Sequence, residues 1–268
     1  MQEKGKYIYG IIRCSKPKNF LHAIIGFVRW SKDFGRLGIG RSRLYQISFN
    51  DIAAVVSNSS VTKSLKSSRN DMIAHERVLE AIMKKHTLLP VRFGVIAENA
   101  EGVKCVLRQG YSDFVELLDK VEGKKELSVS VSFNKEDIYK DLLEKYENIR
   151  ILKEKIAKLP RETVHNQHMA IGKMIAACLD KEKELHKKVF LDVLSPLAVD
   201  VKNNGIYDEL MILNSAFFIA KEMEAEFNQK VEELDKIYGG KLRFKLITAP
   251  PFNFATLKIV MGKNVSTR

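Results

Sequence analysis

LLPVRFGVIAE, residues Leu88 to Glu98, decides how the first half of the chain closes. Leu88, Leu89, Val91, Phe93, Val95 and Ile96 make it apolar enough for a buried strand. Yet Pro90 stands at its mouth, Arg92 in its middle and Gly94 directly after the phenylalanine. Read as a strand, it ends a series. Just upstream, Ser68 with Asp71 three residues on is a helix-start signal. Met72, His75, Leu79, Ile82 and His86 then fall on one face of that helix. Before it, RLYQISF and DIAAVVS are separated only by Asn50-Asp51, the spacing of an antiparallel hairpin. KYIYGIIRC, Lys6 to Cys14, opens the series as a β-rich strand, and the apolar residues from Phe20 to Val28 suit a short helix. The order is β, α, β, β, α, β, the split-βαβ or ferredoxin-like succession.

The same order recurs downstream. Asn99 to Gly123 reads as helix broken near Gly110. KKELSVSVSF is then a clean strand, with Leu127, Val129, Val131 and Phe133 on one side and Glu126, Ser128, Ser130 and Ser132 on the other. Leu142, Tyr146, Ile149, Leu152, Ile156 and Leu159 recur at helical spacing until Pro160. A second stripe follows through Val164, Ile171, Ile175, Cys178, Leu185 and Val189, so two helices with a proline turn between them suggest a hairpin or short coiled coil. LSPLAVDV reads as a strand. ELMILNSAFFIA fits a strand or a buried helix. Met223 to Tyr238 is an amphipathic helix stopped by Gly239-Gly240, and KLRFKLITAP is the closing strand. The expected fold is therefore α+β, with two ferredoxin-like domains at 1–123 and 124–268. The second carries an extended helical hairpin or coiled-coil arm at about 135–190.

Composition limits the function. Hydrophobic residues make up 45% and charged residues 29%, as in folded proteins and unlike disordered ones. No apolar run approaches the roughly 20 residues that span a bilayer, and MQEKGKYIYG is not ordered like a signal peptide, so a cytoplasmic location is expected. Cys14, Cys105 and Cys178 are scattered, which fits reduced thiols. The net charge of +12 draws acidic partners of any kind.

Each chemical motif meets an objection. FGRLGIGR, Phe34 to Arg41, has the glycines of a phosphate loop but runs into a strand instead of opening a helix. RFGVI is similar to the aromatic–glycine signature of RNA-recognition motifs. It lies on the wrong strand, however, and lacks a second aromatic after Gly94. Nucleic-acid binding is therefore the alternative reading, resting mostly on charge. His165 and His168 have no third metal ligand at matching spacing. His75 and Glu76 point about 100° apart on their helix, which suits a satisfied histidine better than an acid–base pair. No catalytic, cofactor-binding or metal-binding residues are assigned. PPFNF, Pro250 to Phe254, cannot be a central strand, and its rings either close the core or meet a partner.

Taken in order, YIYGII, DIAAVVS with RNDMIAHERVLEAI, LLPVRFGVIAE and APPFNF resemble the gas vesicle protein F/L family (GvpL/GvpF). GIGRSRLYQI and ELMILNSAFFIA between them are similar to further family stretches, so the resemblance covers nearly the whole chain. The family's usual Gly-Pro-Trp-Pro-Pro-Tyr-like ending is here Thr248-Ala249-Pro250-Pro251-Phe252, and Val95 replaces the threonine after Phe-Gly. The resemblance implies a non-enzymatic accessory protein of gas vesicle assembly. Its partners would be the small hydrophobic shell protein of GvpA type and other gas vesicle accessory proteins, with no membrane involved. On this reading Arg92, Phe93, Gly94, Pro250, Pro251, Phe252 and Phe254 are the candidate partner-binding residues. Pro90 sets the strand entry, Arg92 is the polar anchor, and Gly94 admits a close backbone.

Overall fold

The computed structural model describes residues 5–14, 27–28, 35–59, 68–157, 165–255, 257 and 265–266. In chain order the strands are β1 (Gly5–Arg13), β2 (Phe27–Val28), β3 (Leu44–Phe49), β4 (Ile52–Ser59), β5 (Leu88–Pro90), β6 (Ile96–Ala97), β7 (Lys124–Phe133), β8 (Asp200–Asn203), β9 (Met211–Ala220), β10 (Leu242–Ala249) and β11 (Val265–Ser266). The helices among the described residues are α1 (Arg69–Met83), α2 (Ala100–Gln109), α3 (Tyr111–Val121), α4 (Lys135–Lys145), α5 (Glu147–Ala157), α6 (His165–Leu194) and α7 (Glu224–Tyr238). The strands form two antiparallel sheets, and the chain divides into two compact units. Met1–Lys125 with Ala249–Arg268 make the first, and Glu126–Thr248 the second. Chain order alone assigns the final segment to the second unit. Its placement with the first follows from a tight turn in which Pro250, Pro251 and Phe254 are buried and Ala255 N–H donates to Pro251 O at 2.8 Å. Lys120 Nζ donates to Phe254 O at 3.1 Å, and β11 pairs with β6.

The first unit's sheet runs β11-β6-β1-β4-β3-β2, and β5 pairs with β1 alongside β6. The β3–β4 hairpin closes at Asn50-Asp51, where Asn50 takes φ +52°. Phe27 and Val28, expected in a helix, instead pair as a strand with Ile47 and Gln46; the rest of that expected helix lies outside the described residues. Tyr7, Tyr9, Ile12, Leu44, Val55, Val78, Leu79, Ile82 and Leu88 belong to one core cluster that joins the sheet to α1. α2 and α3 meet at Gly110, the break expected from sequence. On α1, Met72 is 43% exposed and Val78 is buried. The buried face centres on His75, Val78, Leu79 and Ile82, and Met72 lies roughly 70° around the helix from that centre.

The second unit's sheet runs β10-β7-β9-β8. The ambiguous apolar run is a strand, β9, paired with β8 from Asp200↔Phe218 to Asn203↔Ser215. Four consecutive strands of the first sheet, β6-β1-β4-β3, and all four of the second, β10-β7-β9-β8, stand in the same relative order, fourth, first, third, second. The helix read from Leu142 to Leu159 breaks at Tyr146, where φ −110° and ψ 93° leave the helical region and separate α4 from α5. Pro160 lies outside the described residues. On α6 the buried residues are Leu179, Glu182, Phe190 and Leu194, whereas Leu185 and Val189 are 48% and 44% exposed. At about 100° per residue, Leu185 lies roughly 120° around the helix from the centre of that buried set, so a stripe drawn through it faces away from the packed side.

Candidate functional site

LLPVRFGVIAE is not one strand. β5 and β6 both pair antiparallel with β1, as Gly10↔Pro90 and Tyr7↔Ile96. Between them Val91 N–H donates to Tyr9 O at 2.9 Å, and Ile8 N–H donates to Val95 O at 3.0 Å. Neighbouring residues of β1 thus bracket Val91 and Val95, so Arg92, Phe93 and Gly94 loop out of the ladder. Gly94 takes φ +96°, which no extended strand allows and which favours glycine. Pro90 therefore ends β5 instead of opening a longer strand. Opposite the loop, the β1–β4 register slips between Ile8 and Gly10, and Tyr7 and Tyr9 both belong to the cluster beneath α1.

Those two tyrosines hold the loops. His75, 1% exposed, has Nε2 at 3.1 Å from Val91 O, an acceptor only, so Nε2 carries the ring proton. Nδ1 then accepts from the Tyr7 hydroxyl at 2.9 Å, and the Tyr7 oxygen accepts the Gly94 N–H at 3.0 Å. The circuit returns to the loop it started from, with every buried donor used. Phe93 packs on Tyr7 and His75 at 6.0 and 5.8 Å between ring centroids. Tyr9 stacks on His75 at 5.5 Å, accepts Ile39 N–H at 2.9 Å and shares a hydrogen bond with Ser57 Oγ at 3.0 Å. It thereby fixes the glycine loop before β3. A Cβ on Gly38 would come within 2.9 Å of the Tyr9 hydroxyl.

Burial keeps this cluster neutral. Desolvation pushes Tyr7 and Tyr9 above the ordinary phenol value and holds His75 down to about 4, against which its bond to Val91 works only partly. A neutral, closed-in imidazole positions backbone and has no access to a substrate. The sequence signal for it was present in YIY, because buried tyrosines need partners for their hydroxyls. What those partners are could not be read.

Of the candidate residues, Arg92 is exposed, Phe93, Gly94 and Phe252 are partly buried, and Pro250, Pro251 and Phe254 are buried. Phe93 and Phe252 pack against the same cluster, so both motifs converge on the core beneath α1. Pro250, Pro251 and Phe254 close that unit, and their rings are not on the surface.

The second unit offers a different constellation. Glu182 accepts from Lys145 Nζ at 2.7 Å and from the Tyr146 hydroxyl at 2.6 Å. Burial opposes its charge, but these bonds and the lysine's charge outweigh it and hold the carboxyl below its usual value. The same bond, with burial, pushes Tyr146 up to about 12. An open cavity of about 480 Å³ beside it is lined by Asp141, Lys145, Glu182, His186, Tyr238 and Lys241. Lys241 pairs with Asp141 at 2.9 Å and Lys145 with Glu182, while Glu144 adds a third carboxylate to the lining. No group of three metal-ligating side chains occurs among the described residues. A second cavity of about 380 Å³, mainly apolar, lies among α4, α5 and α6.

Two antiparallel sheets flanked by helices define a mixed helix-and-sheet protein of two compact units. Residues 5–256 match the model of the family described as "Gas vesicle synthesis protein GvpL/GvpF", and the chain belongs to that family. Similar curated proteins include gas vesicle protein F of Nostoc sp. strain PCC 7120, 32% identical over 82% of this chain and 91% of that protein. The Microcystis aeruginosa protein F is 33% identical over 71% and 79%. The crystal structure of GvpF from Anabaena sp. PCC7120 matches with a TM-score of 0.77 at 26% identity, covering 96% of this chain and all of that one. GvpF from Microcystis aeruginosa matches at 0.70 and 27%, covering 94% and 99%. No described helix is long and apolar enough to cross a membrane.

Proposed function

We propose that this protein is a non-enzymatic accessory factor of gas vesicle assembly in the cytoplasm. On this reading it binds the small hydrophobic shell protein, aiding nucleation or keeping that protein from aggregating, and associates with other accessory proteins of the vesicle. The observation that carries it is the family match over residues 5–256, joined by whole-chain likeness to two GvpF structures. Docking falls to the Arg92–Phe93–Gly94 loop with Phe252 beside it. The loop is supported from below by His75 and Tyr7, and Arg92 has no ion-pair partner among the described residues. Each unit is read as ferredoxin-like, supported by their common strand order, and α5 with α6 as a helical hairpin arm, supported by the apolar cavity they share with α4.

Co-expression with the shell protein tests this. The soluble fraction should contain both proteins, co-purified, and Arg92→Ala should lower the captured amount severalfold while the fold is kept. Unchanged capture by a folded Arg92→Ala protein removes the loop from the interface. A shell protein that stays insoluble and is never retained removes the function.

A further inference from the structure

Arginines are unevenly spread in this chain. It has 13 arginines and 32 lysines, yet the segments 35–43, 69–77 and 91–95 together contain six arginines and no lysine. These are Arg36, Arg41, Arg43, Arg69, Arg77 and Arg92, and all six are exposed. None has an ion-pair partner among the described residues. The same segments hold two carboxylates, Asp71 and Glu76. Asp71 is engaged at the start of α1, accepting from the Ser68 hydroxyl at 2.8 Å.

The three segments meet in the fold. Tyr9 holds the glycine loop through Ile39 N–H and stacks on His75 of α1, and His75 bonds the 91–95 loop through Val91 O. The His75 turn of α1 is therefore linked to both loops. The same place collects apolar surface. Among the described residues of the first unit, the exposed large hydrophobics are Leu37, Met72 and Ile73. One lies in the glycine loop and two on the first turns of α1. Gly40 and Arg41 are consecutive left-handed residues, at φ +62° and +57°. Arg41 in that conformation is strained backbone, of the kind that persists where the surroundings hold it for a purpose.

We propose that this surface is a docking site for a protein segment that carries carboxylates around an aliphatic face. The arginines supply forked, bidentate donors to carboxylates, which lysine does not. Leu37, Met72 and Ile73 add exposed aliphatic side chains to two of the arginine-bearing segments. Apolar side chains among charged ones are what an interface core and rim require. An RNA would match the charge but gain little from three aliphatic side chains, since single strands are held by stacking on rings. The inference rests on the docking role given above to the Arg92 loop, and it extends that loop to a composite surface with a defined partner chemistry.

The test uses the full chain and four probes: an amphipathic peptide with glutamates beside a leucine face, its lysine counterpart, single-stranded poly(U), and vesicles of anionic phospholipid. The acidic peptide should bind and the lysine peptide should not. Arg36→Ala/Arg41→Ala/Arg92→Ala and Met72→Ser/Ile73→Ser should each weaken the acidic peptide about tenfold, because charged and apolar side chains act together. These side chains are exposed, so unchanged unfolding curves verify that both variants fold. Tighter binding of poly(U) or vesicles than of the acidic peptide overturns the proposal, as does peptide binding that ignores either variant. Capture of the shell protein separates the two readings. If the wild-type chain captures it and both variants do so equally well, this surface is wrong and the assembly role stands. If the shell protein is not captured while the peptide behaves as expected, the surface stands and its partner is another acidic protein.

Discussion

Four strands in each unit stand in the same relative order, but the two units use their enclosed polar groups in opposite ways. In the first, His75, Tyr7 and Tyr9 bond backbone atoms of loops: Val91 O, Gly94 N–H and Ile39 N–H. In the second, Glu182 bonds side chains at the junction of two helices, Lys145 and Tyr146, while His186 makes ring contacts with Phe133, Phe190 and Tyr238. Bonds to backbone set the shape of a surface loop, whereas bonds between helical side chains set which helices pack. The first arrangement suits recognition and the second suits a scaffold.

Breaking each network tests that contrast. The largest effect is expected for His75→Ala, which leaves Val91 O and the Tyr7 hydroxyl unsatisfied around a cavity. Urea unfolding should show a loss of about 3 kcal/mol, and capture of the shell protein should fall with it.

Acid should produce a comparable effect by another route. His75 titrates near 4 when folded against an ordinary 6.5, so the folded state resists protonation. Its contribution is whole above pH 6.5 and is lost as pH falls towards 4, up to roughly 3 kcal/mol. In His75→Gln this part of the pH profile should become shallower, keeping only the slope from His86 and His186, which burial also lowers. A profile that keeps its slope between 6.5 and 4 would assign the acid sensitivity elsewhere.

The second unit should respond less and lower on the pH scale. Glu182→Gln keeps the shape and the Tyr146 bond, and Lys145, 55% exposed, can turn to water. A loss of about 1 kcal/mol is expected, leaving loop-dependent capture intact. Glu182 is held below the ordinary 4.5, so its stabilisation is present above that value and is lost as pH falls beneath it. The losses from His75 and from Glu182 should therefore begin at different pH, below 6.5 for the first and below 4.5 for the second. A Glu182 variant that abolishes capture would erase the distinction between recognition and scaffold.

Much of this was legible in residues. The Asn50-Asp51 hairpin, the Ser68 cap, the break at Gly110 and the alternation of β7 are local signals, and each appears where the sequence put it. The satisfied state of His75 was also expected. Readings failed where a core position carries a polar residue. Glu182 and His186 sit on the packed side of α6, and their polarity pulled the apparent stripe towards Leu185 and Val189. The loop at Arg92 failed for another reason, since an apolar run containing one glycine fits a strand until its partner strand is known.

By itself the sequence determined the family, the locally signalled strands and helices such as β7 and α1, and the concentration of arginine in three short segments. All of these depend on neighbours in the chain or on composition. Only the tertiary structure decided that Leu88 to Glu98 is two strands with a loop between them, because hydrogen bonds from β1, far away in sequence, set where the ladder opens. It also decided that Pro250, Pro251 and Phe254 are core and that Tyr9 and His75 link the three arginine-bearing segments. Burial and proximity arise from contacts across the fold, and no local pattern encodes them.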